Sequence, residues 1–346
     1  ASRPVPAPPT IAAKNYYLID YHSGRVLAEK EPDVRIAPAS LTKLMTAFVV
    51  FSELAKGNIT LEEEVTISER AWRTGGSRMF IEVGNRVSVD LLLKGMIIQS
   101  GNDASVALAE HVAGGEDTFA QFMNQHAVEL GMVNTHFMNS TGLPHKKHYS
   151  TAKDMAILTR NLIQRFPTFY SLYSQKSFTY NKITQQNRNK LLWRDPSVDG
   201  VKTGYTASAG YCLVSSAERE GMRLVSVILG AKSTKARTSQ SQALLNYGFR
   251  FYETRRIYAG MEPRIQPRIW QGAKENITLG IANDLFITIP RGEYSNLNAS
   301  TNLPETIMAP VNKGTSLGTV TVKLGDDVLA ERPLIAIESV PEGSLW

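Results

Sequence analysis

The chain is poor in cysteine and histidine and has no long apolar run, and each shortage closes a class of explanation. Its one cysteine, Cys212, precludes an intrachain disulfide and sits in an apolar, strand-like run. That setting reads as a small buried residue and not as a nucleophile. The six histidines include His145 and His148 in PHKKHYS. Neither an H-E-x-x-H motif nor a Cys/His ligand set accompanies them, so no metal site is expected. No apolar stretch reaches the roughly 18 residues that a spanning helix needs. The opening ASRPVPAPPTIAAK has neither the charged nor the apolar region of a signal peptide and reads as the Pro-rich lead of a mature or trimmed chain. Charge is not strongly one-sided: the net value is +6 over 346 residues, with one local cluster at Arg250, Arg255 and Arg256. No nucleic-acid-binding motif goes with that cluster, so no nucleic-acid partner is expected. A mildly basic surface suits an anionic wall or membrane face.

What is present is an ordinary globular composition, 42% hydrophobic and 20% charged, in a chain long enough for two domains. YYLIDY, the turn Ser23-Gly24 and RVLAEK read as a strand, a turn and a strand. Helical patterns dominate from Ser40 to about Phe166, and two β-rich runs, residues 210–217 and 223–229, joined by Glu220-Gly221, read as a hairpin. A helix follows at about 239–249. These patterns predict an α+β domain over residues 1–251, with an antiparallel sheet built from both ends and a helical middle. Beyond it, RIQPRIW, NITLGIA, LFITIPRG, GTVTVKLG and VLAERPLIAI read as regularly spaced short strands, which predicts a separate small all-β sandwich over 252–346.

Three short motifs occur in order: Ser40-Leu41-Thr42-Lys43, Ser100-Gly101-Asn102 and Lys202-Thr203-Gly204. Singly each is cheap; about one S-x-x-K is expected by accident at this length. A second one, Ser150-Thr151-Ala152-Lys153, reads as a capped helix start with Asp154 in its first turn and Met155, Ile157, Leu158 and Leu162 on an apolar face. A second S-x-N, Ser300-Thr301-Asn302, falls in the strand-rich tail. Only one choice of motifs gives the order with each in a sensible context. After Pro38 the run LTKLMTAFVVFSELAKGN is apolar nearly all round, which predicts a buried helix starting at Ser40 and stopped by Gly57-Asn58. Free N–H groups and the positive dipole end would then surround the Ser40 hydroxyl, and Lys43 would share its face. Alone, Ser40 reads as well as an N-cap, and Asn102 or Asp103 as the cap of the helix that follows. Lys202, on or beside a strand, reads alone as a solvated edge lysine.

Together the three motifs are the set shared by serine β-lactamases and penicillin-binding proteins. The chain most resembles the low-molecular-mass penicillin-binding proteins, the D-alanyl-D-alanine carboxypeptidases of the penicillin-binding protein 5 and 6 type. The segments that carry the likeness are PASLTKLMT, IQSGNDASVALAEH, YSTAKDMA, NRNKLLW, VDGVKTG, GFRFYET and the terminal β domain. The resemblance implies a penicilloyl-serine-transferase domain followed by a β domain, on the periplasmic, outer face of a bacterial inner membrane. It implies peptidoglycan stem peptides as substrates and β-lactams as covalent inhibitors, with no cofactor. It also implies a membrane-surface contact where an amphipathic anchor follows PEGSLW. Tyr205 stands where many relatives carry His, and RTGGSRMF looks like a compact form of the family's loop over the nucleophile.

Carried over residue by residue, the resemblance makes Ser40 the nucleophile and Lys43 its base, since no motif places a histidine there. Ser100 relays a proton to the leaving amine, and Asn102 holds the peptide or Lys43. Lys202 stays charged, lowers the pKa of Lys43 and attracts the substrate carboxylate. Thr203, Gly204, Tyr205 and Arg237 line the substrate site, Arg237 in the segment before the last helix of the domain. The backbone N–H groups of Ser40 and Tyr205 form the oxyanion hole. Arg188 in NRNKLLW is a second arginine, for binding or for structure. A serine β-lactamase, an endopeptidase and a non-catalytic wall-binding scaffold are the alternatives; no glutamate base of the class A kind is placed by motif.

Overall fold

The apolar runs of YYLID, CLVSSA and LVSVIL form strands that lie in one sheet, buried on both faces over most of their length. The computed structural model describes residues 3–344, which divide into two compact units. One holds Pro8–Tyr21 and Val26–Gly248; the other holds residues 3–7, His22–Arg25 and 249–344. The first two residues of the Pro-rich lead and the last two of PEGSLW lie outside the described range. Among the described residues, no helix is long and apolar enough to cross a membrane.

In the first unit the strands are β1 (Asn15–Asp20) and β2 (Val26–Lys30), then two short ribbons, β3 (Glu64–Thr66) with β4 (Arg86–Ser88) and β5 (Ser177–Tyr180) with β6 (Ile183–Gln186), then β7 (Val198–Thr206), β8 (Gly210–Arg219) and β9 (Met222–Ala231). The main sheet has the order β2-β1-β9-β8-β7 and is antiparallel throughout. Burial of β8 and β9 on both faces explains why their sequences are nearly continuous apolar runs and do not alternate. The edge strand β7 carries Lys202 opposite Val214.

The helical middle consists of α1 (Lys43–Ala55), α2 (Glu69–Arg73), α3 (Val89–Gln99), α4 (Asn102–Ala113), α5 (Glu116–Glu129), α6 (Ala152–Arg165), α7 (Pro167–Tyr170) and α8 (Leu191–Arg194); α9 (Thr234–Phe251) follows the sheet. Every residue of α1 from Lys43 to Ser52 is buried, against α3, α4, α5 and α6, so no face of it is free. Each fully buried Leu, Met or Phe contributes about 1.5–3 kcal/mol, and Leu44, Met45, Phe48 and Phe51 are all in that state. Gly57, at φ +75°, ends the helix, with Gly57 N–H donating to Leu54 O. The second S-x-x-K is a helix start as its pattern predicts: Thr151 caps α6 by accepting from Asp154 N–H at 3.0 Å.

In the second unit β10 (Tyr252–Tyr258) pairs with β12 (Leu285–Pro290). A four-stranded sheet runs β11-β15-β14-β13, where β11 is Leu279–Gly280, β13 is Leu297–Asn302, β14 is Ser316–Leu324 and β15 is Asp327–Ala336. Both sheets feed one core that includes Ile287, Ile289, Val320, Val322 and Leu334. RIQPRIW differs from its predicted strand: it makes only isolated bridges, because Pro267 cannot donate to a ladder and its carbonyl is taken by Ile277 N–H. Ser300-Thr301-Asn302 lies on the exposed strand β13.

Candidate active site

Ser40 is not at the start of an α-helix. It lies in a 3-10 turn, Ala39–Thr42, which leads directly into α1. Its hydroxyl caps no helix but accepts a hydrogen bond from Lys43 Nζ at 2.8 Å. The turn is tight: Ala39 has φ +51°, and a Cβ on Gly142 would stand 1.8 Å from the Ala39 carbonyl oxygen. Glycine at 142 is therefore what lets a distant strip of main chain press against the Ser40 turn.

That strip is itself fixed. His148 Nδ1 accepts from Met138 N–H at 2.9 Å, so its Nε2 carries the proton and donates to Thr42 Oγ1 at 2.7 Å. Burial pushes the His148 pKa down to about 4, with His136 and His145 adding to the effect. Thr46 Oγ1 donates to Ser140 O at 2.7 Å, and Ser140 is held by Glu116. PHKKHYS thus supplies a neutral structural histidine. Among the described residues no group of three metal-ligating side chains exists.

Ser100 ends α3 in the left-handed region, φ 65° and ψ 36°, and so turns its side chain toward Lys43, whose Nζ donates to Ser100 Oγ at 3.0 Å. A non-glycine residue in this region costs roughly 1–2 kcal/mol. Gly101 N–H returns to Gly95 O at 3.1 Å, and the next helix starts at Asn102 with Gly101 as its cap. Neither Asn102 nor Asp103 caps that helix. Asn102 reaches the RTGGSRMF segment: its Nδ2 donates to Gly75 O at 2.8 Å and its N–H to Ser77 O at 2.7 Å. Its Oδ1 is buried with no hydrogen-bond partner among the described residues. Asp103 accepts from Met79, Phe80 and Ile81 N–H at 3.0, 3.0 and 3.3 Å, and from Ala104 N–H at 2.9 Å. One carboxylate therefore pins the loop beside the nucleophile.

Lys202 is only 3% exposed, which rules out the solvated edge lysine. Its Nζ donates to Thr203 O at 2.9 Å. A Cβ on Gly204 would lie 3.3 Å from the backbone nitrogens of both Ser40 and Leu41, so β7 passes directly against the Ser40 turn. Arg237 is not in a segment before the last helix; α9 begins at Thr234 and Arg237 is in its first turn. It is 7% exposed, donates to Gly204 O at 3.2 Å, and sits 5.6 Å from the Tyr211 ring centroid. Tyr205 packs against Tyr211, with ring centroids 4.4 Å apart and the planes tilted by 31°.

These pieces enclose one cleft of about 280 Å³, lined by Ser40, Ser77, Ser100, Arg188, Thr203, Gly204, Tyr205, Tyr211, Thr234 and Arg237. Among the described residues no carboxylate lines it, whereas Lys43, Lys202, Arg188 and Arg237 all bear on it electrostatically. Burial lowers the Lys43 pKa to about 7; Arg188 adds to the drop and Asp103 opposes it. Lys202 is also driven well below the usual lysine range, first by burial, then by Lys43, Arg188 and Arg237. The depression is thus not confined to Lys43, and the expected division, with Lys202 charged and lowering Lys43, does not hold: burial lowers both amines, and the cation that lowers Lys43 further is Arg188. Such a cleft favours an anionic ligand.

A family model described as D-alanyl-D-alanine carboxypeptidase matches residues 3–233. The chain belongs to this family of serine peptidases. A second model, the C-terminal domain of penicillin-binding protein 5, matches residues 252–342. The D-alanyl-D-alanine carboxypeptidase DacC of Escherichia coli (strain K12) is 45% identical over 346 residues, covering 98% of this chain and 86% of that protein. The solved structure of penicillin binding protein 5 from Haemophilus influenzae is 42% identical with a TM-score of 0.94, over 97% of this chain and 99% of that one. The Streptomyces K15 DD-transpeptidase is 34% identical with a TM-score of 0.66, over 70% of this chain and 99% of its own.

Of the residues that the motifs predict, Ser40, Lys43 and Ser100 are joined by hydrogen bonds, and Thr203, Gly204, Tyr205, Arg237 and Arg188 line the same cleft of this carboxypeptidase-family domain. Arg188 sits on its exposed rim. Asp103, His148, Gly142, Tyr211 and Thr234 were not singled out by the motifs as site residues. Asp103 follows Ser100-Gly101-Asn102 directly, and that adjacency was the available signal. Nothing local marks the others.

Proposed function

We propose that this D-alanyl-D-alanine carboxypeptidase removes the terminal D-alanine of peptidoglycan stem pentapeptides through an acyl-enzyme on Ser40, and that β-lactams acylate the same hydroxyl. The observation that carries the reading is the single buried amine of Lys43 hydrogen-bonded to both Ser40 Oγ and Ser100 Oγ. An ordinary lysine would resist giving up its proton at pH 7 by roughly 4–5 kcal/mol. With its pKa lowered to about 7, Lys43 is about half neutral there and that barrier largely disappears.

Neutral Lys43 takes the Ser40 proton as Oγ attacks the carbonyl of the penultimate D-alanine. The backbone N–H groups of Ser40 and Tyr205 receive the oxyanion, each donor worth about 2.7–4 kcal/mol. The proton passes from Lys43 through Ser100 to the leaving nitrogen, and D-alanine departs. Water then attacks the ester with Lys43 again as base, and Ser40 is regenerated. Arg237, Thr203 and Lys202 hold the substrate carboxylate; its negative charge favours the protonated form of Lys202 once bound. Asn102 holds the loop beside the nucleophile, with its free Oδ1 available to the peptide or to the Lys43 amine. Arg188 adds positive potential at the rim.

The location that goes with this substrate is the periplasmic face of the inner membrane. The decisive experiment is D-alanine release from a peptide ending in D-Ala-D-Ala, with Ser40→Ala as control. Release abolished in the control establishes the activity and its nucleophile together. No release by the folded wild-type protein overturns the reading.

A further inference from the structure

Gly204 leaves no side chain between β7 and the Ser40 turn, and the next residue, Tyr205, lines the cleft that holds Ser40. It is 52% exposed, lines the cleft and packs against Tyr211, its cross-strand partner, with ring centroids 4.4 Å apart and the planes tilted by 31°. Tyr211 in turn carries the Arg237 guanidinium 5.6 Å from its ring centroid, and Arg237 is bonded to Gly204 O. The two tyrosines and the arginine thus form a continuous wall of the cleft that holds Ser40. Because the proposed function takes the Tyr205 N–H to the oxyanion, its ring stands next to the residue that leaves.

We infer that Tyr205 is a specificity-determining residue: its ring, braced by Tyr211, limits the leaving residue to a small side chain. This deepens the carboxypeptidase reading and rests on it. A ring packed against a second ring can exclude side chains by shape, because displacing it breaks the contact between the two. Excess methylenes at such a wall discriminate by about 10–200-fold each.

The test measures kcat/KM for two otherwise identical acylated peptides, one ending in D-Ala-D-Ala and one in D-Ala-D-norvaline, with wild-type protein, Tyr205→Phe and Tyr205→Ala. The wild type is expected to prefer the D-alanine leaving group by roughly tenfold or more. Tyr205→Phe keeps the ratio, because the ring and its contact with Tyr211 remain. Tyr205→Ala narrows it about tenfold, the gain falling on the D-norvaline substrate. Penicillin acylation of Ser40, counted by intact mass, gives the folded, competent fraction of each sample, and Tyr205→Val serves if the alanine variant does not fold. A ratio unchanged in the alanine or valine variant overturns the inference, even where both rates fall together, since a general loosening of the site would lower them equally. A wild-type protein that releases neither amino acid overturns the carboxypeptidase reading instead.

Discussion

Lys43 and Ser100, 57 positions apart in the chain, share a buried hydrogen bond of 3.0 Å. The same amine donates to Ser40, three residues before it. One nitrogen thus joins a hydroxyl that would lose a proton to one that would pass it on, and neither motif has this property without the other. Replacing the amine should break both connections. Lys43→Ala is expected to lower penicillin acylation by about 10²–10⁴-fold, the usual worth of a positioned acid–base group, with circular dichroism and the unfolding midpoint close to wild type. Acylation at the wild-type rate would remove Lys43 from the role of base.

The acylation rate should depend on pH in a set direction. Lys43 acts when neutral, and its pKa is lowered to about 7, so the rate rises as pH increases through about 7 and levels off above it. Arg188 and Asp103 are the charges that bear on this midpoint. Asp103→Asn removes the one that opposes the depression, so its midpoint should lie lower. Burst kinetics with a chromogenic β-lactam across pH 5 to 9 (about two units either side) would show the limb; a profile flat through neutrality contradicts the assignment.

His148 gives the fold a separate pH dependence. Its folded-state pKa of about 4 lies below the unfolded value of 6.5. The unfolded chain therefore binds more protons between these values, and the stabilisation is complete above pH 6.5 and lost as pH falls through about 4. The span corresponds to roughly 3 kcal/mol. His148→Gln, which can still accept from Met138 N–H and donate to Thr42, should unfold with a weaker dependence over this window than wild type. Equal slopes would show that His148 does not titrate differently on folding.

Asp103 is expected to matter through the loop it holds. Asp103→Ala leaves the N–H groups of Met79, Phe80, Ile81 and Ala104 without their acceptor, at about 1–3 kcal/mol for each that stays buried. Hydrogen exchange over residues 79–81 should quicken, and acylation should slow by about tenfold or more from misplacement of Ser77 and Asn102. Unchanged exchange at these amides would show that the loop is held by other contacts.

The sequence revealed what depends on local pattern. The all-round apolar run after Ser40, the cap at Thr151 and the continuous strands of the hairpin each have a period or a stop that physics reads directly, and the structure has them. Their limits are equally physical. Ser40 sits in a 3-10 turn because Ala39 and Gly142 meet there, a contact between segments no pattern links. Asp103 looked like a helix cap because its real partners, the amides of the 79–81 loop, lie upstream on another segment. Taken alone Lys202 reads as solvated because edge strands usually are, yet β7 packs against the 3-10 turn that carries Ser40 and the lysine is buried. Arg237 is one turn inside a helix whose polar start, TKARTSQ, has no apolar stripe to announce it. RIQPRIW alternates like a strand but contains a proline where a ladder needs a donor.

The missing side chain at Gly142 limits how this enzyme can change by descent. A methyl group there would stand 1.8 Å from the Ala39 carbonyl oxygen, so a gene that mutates this codon loses the nucleophile's setting before any new preference is exposed to selection. Tyr205 and Arg188 are under no such restriction, being exposed at the mouth of the same cleft. Lineages that inherit this scaffold are therefore free to vary at the mouth while the floor stays fixed. Differences among them in substrate or in antibiotic tolerance should gather there.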